Sequence, residues 1–139
     1  MNIRKSFSVA VLVLLGLPLV LLLIATVTIS VLNRTNGTIV SSGQEREYLL
    51  YVPASYDRAK PAPLVISLHG AAAWPAQQMN LSRWNRLADH YGFIVVYPAG
   101  TGLGPRIWHV NRGPGLMKDV RFISELIDTL EAAYSIDRT

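Results

Sequence analysis

The chain of 139 residues contains no cysteine. That excludes disulfides, cysteine-ligated zinc and a thiol nucleophile within it, while leaving the compartment open. Its three histidines, His69, His90 and His109, are scattered, and no H-x-H or H-x-x-x-H spacing occurs, so no metal site is expected. Charge is also sparse, at 16% of residues. The net charge of +4 includes Arg4 and Lys5, which leaves about +2 on everything that follows. No basic block or interleaved aromatic stripe accompanies it, which argues against nucleic acid as a partner.

Apolar length is what the N-terminus has in excess. No charged residue occurs from Phe7 to Leu32. The mean hydropathy of +0.29 comes almost entirely from this part of the chain. A run of this length exceeds the ~20 residues that cross a bilayer core. Arg4 and Lys5 precede it, an order that leaves the N-terminus in the cytoplasm and the remainder outside. The expected division is a cytoplasmic n-region over 1–6, a transmembrane signal anchor over 7–32 and a linker over 33–37. Pro18 is tolerable in a membrane helix. A cleaved signal peptide and a buried soluble helix are the competing readings. A cleaved signal would have an apolar core of about 7–15 residues and a small-x-small site. Ala25-Thr26-Val27 and Thr28-Ile29-Ser30 match such a site poorly. The rest of the chain is therefore expected at the outer face of a cell membrane, or secreted if the segment is cleaved. Asn33-Arg34-Thr35, Asn36-Gly37-Thr38 and Asn80-Leu81-Ser82 are glycosylation-type triplets, relevant only in a eukaryotic secretory host.

Beyond the linker the pattern changes to short apolar runs separated by turns. Thr38-Ile39-Val40 and Arg46 to Val52 read as a hairpin turning through Ser41-Ser42-Gly43-Gln44. Leu64 to Leu68 is near-continuously apolar, the pattern of a parallel strand buried on both faces. A helix is predicted within Gln77–Tyr91, with Leu81, Trp84, Ala88 and Tyr91 on one face and Gly92 as its C-terminal cap. Phe93 to Tyr97 is a second buried strand, followed by a Gly/Pro-rich loop over Ala99–Gly115. The last helix places Leu116, Val120, Ile123, Ile127, Leu130 and Tyr134 on one stripe, with Asp119 and Asp128 read as solvated or helix N-terminal charges. Hairpin, then β-α-β-α of a mainly parallel sheet, predicts the α/β class. Ser135 to Thr139 reads as the approach to a further parallel strand.

Tyr48-Leu49-Leu50-Tyr51-Val52-Pro53, Pro63 to Gly70 with its Leu68-His69-Gly70, Ala88 to Pro98, Trp108 and Asp119-Val120 follow one another in a particular order. In that order they resemble the polyhydroxybutyrate depolymerase and feruloyl esterase-like group of α/β-hydrolases. The resemblance implies that 38–139 is an incomplete α/β-hydrolase domain, the N-terminal part of that fold. In such proteins a G-x-S-x-G elbow carries the serine, and the acid and histidine come later. This chain has no G-x-S-x-G. No catalytic residue is therefore expected within it; nucleophile, acid and base are expected beyond Thr139. The chain alone is expected to be inactive and prone to aggregate.

His69-Gly70 with Ala71 and Ala72 is the one motif here that carries chemistry. Acyl transfer builds negative charge on a carbonyl oxygen, and backbone N–H groups after this strand would donate to it. The alternative is a sharp turn after a buried strand. His69 is not expected to be the base. Trp74 and Trp108 are candidates for stacking on substrate, against the plainer role of covering a core edge. Trp84 reads as core. Arg106, Arg112 and His109 form a basic loop, read as a solubility feature rather than a carboxylate clamp.

The resemblance implies a serine ester hydrolase without metal or organic cofactor, acting on polyhydroxyalkanoate, feruloyl, acetyl or small aryl esters. A single-pass membrane protein with a non-catalytic α/β binding module is the rival from another class. A peptidase on the same fold is a third reading.

Overall fold

Ser42 and Gly43 both take positive φ, +51° and +73°. Two such residues make the type I′ turn that matches strand twist. They close an antiparallel hairpin between β1 (Gly37–Ser41) and β2 (Gln44–Tyr51), with Ser41 opposite Gln44 and Gly37 opposite Tyr48. The loop is thus two residues, because Ser41 and Gln44 join the ladder. The computed structural model describes residues 3–102, 104–109 and 116–138.

The chain divides into an N-terminal unit ending at Val31 and a second unit from Leu32. The first is helix α1 (Ile3–Leu32), with Pro18 inside it. Leu17, Leu21 and Leu23 of this helix are exposed. Among the described residues, no helix is long and apolar enough to cross a membrane.

The second unit continues with β3 (Leu64–Ile66), α2 (Pro75–Ser82), α3 (Trp84–Tyr91), β4 (Ile94–Pro98) and α4 (Leu116–Ala133). The four strands lie in the order β1-β2-β4-β3. β2 pairs antiparallel with β4, and β3 pairs parallel with it. Every residue of β4 is buried, and alternate residues serve opposite faces. Val95 and Tyr97 join Leu49, Ala76 and Ala88 beneath α2 and α3. Val96 joins Phe122, Leu126 and Leu130 of α4. Helices therefore cover both faces of the sheet, as the α/β reading requires.

Four expectations need correction. The helix expected within Gln77–Tyr91 is two helices, broken at Arg83, whose φ of +57° is left-handed. Each piece then has its own phase. Ala76 and Ala88 are buried and Trp84 packs against Phe93, whereas Leu81 and Tyr91 are exposed. Gly92 caps α3 as expected, with φ of +74° and its N–H on the Ala88 carbonyl at 2.8 Å.

The second correction is to β3, which is shorter than Leu64–Leu68 and half-buried, with Leu68 exposed. It is the last strand in the order, so only one neighbour covers it. On its other side the chain returns after α4. The Ala62 N–H donates to the Ser135 carbonyl and the Asp137 N–H to the Ala62 carbonyl, both at 2.9 Å, making a parallel bridge between Ala62 and Ile136. Pro63 and Ser67 bond toward β4, and Ala62, one residue out of phase, bonds away from it. The approach to a further parallel strand is therefore in place beside β3.

The third correction is the stripe on α4. Asp119, Phe122, Leu126 and Leu130 form the buried line, while Val120 is exposed and Ile123 and Ile127 are half-buried. The Leu116 side chain lies outside the described residues. Asp119 stands in the first turn of α4, as one of its two readings had it, but it is only 7% exposed rather than solvated, which is the fourth correction. Asp128 is exposed, as read.

Candidate functional site

In an open α/β sheet, ligands gather beyond the carboxyl ends of the parallel strands. Two loops leave those ends here, residues 67–74 after β3 and, after β4, one described over 99–102 and 104–109. The second loop returns on itself, with Thr101 and Ile107 exchanging backbone hydrogen bonds of 2.9 and 3.0 Å. Gly100 permits this. A Cβ there would collide with the Ile107 backbone.

His69 is 3% exposed and joins the two loops. The Gly100 N–H donates to His69 Nε2 at 2.9 Å. Nε2 is then the lone-pair nitrogen, which assigns the proton to Nδ1, 2.8 Å from the Gly70 carbonyl. The Trp108 indole N–H donates to the His69 carbonyl at 2.9 Å, and its ring stacks on the imidazole at 4.9 Å. Burial lowers the His69 pKa. The Gly70 hydrogen bond opposes that and the Arg106 charge reinforces it, leaving a neutral ring. Both nitrogens are engaged by backbone groups, so His69 links the two loops.

Gly70, Ala71 and Ala72 are exposed beyond this link, and Ala72 takes a positive φ of +54°. Among the described residues, no protein acceptor meets their N–H groups. The segment is pinned again on its far side. The Arg106 N–H donates to the Ala73 carbonyl at 3.0 Å, and the Trp74 indole N–H to the Gly104 carbonyl at 3.1 Å. Both tryptophans thus spend their polar atom on a backbone carbonyl. Trp84 belongs to the α2/α3 side of the core.

The charges around these loops were not foreseen. Arg46 on β2 is 5% exposed and lies 2.9 Å from Asp119 Oδ1. Its guanidinium also sits 4.0 Å above the Phe122 ring and donates to the Ala99 carbonyl at 3.2 Å. Asp119 Oδ2 accepts the His109 N–H at 2.6 Å and faces His109 Nδ1 at 2.9 Å. Burial opposes ionisation of Asp119, but the His109 hydrogen bonds and Arg46 outweigh it, so its pKa is lowered. Arg106, read as a solvated loop charge, is instead bonded to Glu47, Asn33 and the Gly100 carbonyl. Arg112 lies outside the described residues. One signal in the sequence pointed here: a phase set by Phe122, Leu126 and Leu130 puts Asp119 on the apolar stripe, where a charge demands a partner.

Three comparisons bear on this arrangement. Residues 46–112 match the family model described as esterase PHB depolymerase. That span is similar to the esterase PHB depolymerase family. Its resemblance to the polyhydroxybutyrate depolymerase and feruloyl esterase-like group is thereby borne out. The matched span contains β2 from Arg46 onward, β3, β4 and the described parts of both loops that meet at His69. A bifunctional acetylxylan esterase/xylanase of Neocallimastix patriciarum is 37% identical over 95 residues, 68% of this chain and 13% of that protein. An S-formylglutathione hydrolase from Agrobacterium tumefaciens shares the fold at a TM-score of 0.57 and 20% identity, over 73% of this chain and 44% of that one. A ferulic acid esterase does so at 0.55 and 22%, over 72% and 43%. The chain thus spans under half of each of these proteins.

Proposed function

We propose that the complete protein is a serine carboxylic-ester hydrolase, and that this chain supplies one wall of its active site. The observation that carries the reading is the row of N–H groups from Gly70 to Ala72, which meet no protein acceptor among the described residues and are pinned on both sides at the carboxyl end of a parallel strand. When a serine oxygen attacks an ester carbon, the carbonyl oxygen gains negative charge. Pre-aimed amide donors stabilise it without reorganising. The alkoxy bond then breaks, the alcohol leaves with a proton from the histidine, and water cleaves the acyl-serine. A strand continuing from Ile136 would run beside β3 and end near this wall, where the fold of the esterase group puts its serine.

The substrates proposed are acetyl or feruloyl esters on polysaccharide, short polyhydroxyalkanoates and small aryl esters. The acetylxylan esterase relative favours the first. Trp74 and Trp108 remain pocket candidates, and a contact from either would use the ring, since the N–H of each is taken. We further propose that α1 anchors the domain to the outer face of a cell membrane. Its exposed leucines and the uncharged run after Arg4 and Lys5 support this.

The test is fluorophosphonate treatment of the intact protein, followed by acetyl, feruloyl, 3-hydroxybutyryl and peptide substrates. Covalent labelling with ester turnover is the expected result. Absence of labelling, or turnover of peptides alone, would remove the esterase reading.

A further inference from the structure

The segment from Gly70 to Ala72 is held at both ends by the loop after β4, so whatever fixes that loop fixes the wall. Two neighbouring residues of β2 do so from opposite faces of the sheet, because successive side chains of a strand alternate. Arg46 shares a face with Tyr48 and Leu50, which pack on the α4 cluster. From there it grips the start of the loop through the Ala99 carbonyl. Its ion-pair partner Asp119 grips the end through His109. Glu47 shares the other face with Leu49 and Tyr51 and holds the middle of the loop through Arg106. The loop in turn bonds His69 through Gly100 and Trp108, Ala73 through Arg106, and Trp74 through Gly104. The path runs from β2 to the loops directly through Ala99 and Arg106, and by way of Asp119 on α4.

We infer that Arg46 and Glu47 are positioning residues that set the oxyanion-binding wall from both faces of β2. This rests on the esterase reading above. Loosening either grip displaces amide donors without removing them. A displacement of this kind slows the step in which charge develops and leaves ground-state binding alone.

The experiment uses the intact protein and its Arg46→Lys and Glu47→Gln variants, with Lys60→Ala, in the exposed Lys60–Asp57 pair, as control. p-Nitrophenyl acetate is compared with its thionoester, whose sulfur accepts hydrogen bonds poorly. Glu47→Gln, half-exposed and therefore safe for folding, is expected to lower kcat on the oxygen ester by about 10-fold with KM nearly unchanged. The thionoester rate is expected to fall far less, so the ratio of the two rates narrows. Amide exchange at Gly100 and Arg106 is expected to accelerate in both variants and not in the control. Equal loss on both esters, or an unchanged ratio with unchanged exchange, would overturn the inference while the wild type still turns over ester. A wild type inactive on all esters would overturn the esterase reading itself, and the inference with it.

Discussion

Replacing Asp119 with alanine is expected to lower the unfolding free energy of the intact protein by about 3–5 kcal/mol. The reason is what stays behind. Arg46 and Asp119 side chains are 5% and 10% exposed, so neither charge is screened by water. Without Asp119 the guanidinium keeps the Ala99 carbonyl and the Phe122 ring but has no counter-charge. The His109 N–H loses its acceptor as well. A buried pair is costly to break and not necessarily costly to replace. The double variant Arg46→Met with Asp119→Leu is therefore expected to recover most of the loss. Denaturant midpoints for the two single variants and the double variant would measure this. If the double variant were as unstable as the sum of the singles, the desolvation argument would be wrong.

Replacing His69 with alanine is expected to cost about 2–4 kcal/mol, from a cavity beneath Trp108 and an unpaired Gly100 N–H. It should also change how stability depends on pH. The His69 pKa is lowered in the folded state, so the unfolded chain binds the proton more tightly. The stability that the neutral ring contributes is fully present above the unfolded value of about 6.5. It is lost as pH falls from there toward the lowered folded value. Wild-type stability should thus drop on acidification through this window, and the His69→Ala variant should drop less. Parallel curves for the two proteins would refute the neutral assignment.

Much of the architecture was legible because it rests on local pattern. Ile94 to Tyr97 is apolar at every position and became the buried strand. Ser42-Gly43 marked the hairpin and Gly92 ended a helix, each at positive φ. What escaped notice depends on partners distant in sequence. Arg83 breaks the helix in a left-handed conformation without being glycine, so no residue type announces it. Val120 mimicked a core position, while the true stripe includes Asp119, acceptable there only because Arg46 arrives from β2. The motif at His69 was visible, but the reason for it was not. Its imidazole is occupied by Gly100, which lies 31 residues away in sequence. The wall could be named from sequence, whereas the clamp behind it required coordinates.

The N–H groups of Gly70 to Ala72 are proposed to receive the oxyanion of an ester substrate. A crystal structure of the intact protein inactivated by a phosphonate ester tests it most directly. The account predicts the phosphonyl oxygen within about 3 Å of at least one of these nitrogens. An adduct whose oxygen is held elsewhere, with this segment empty, would contradict it.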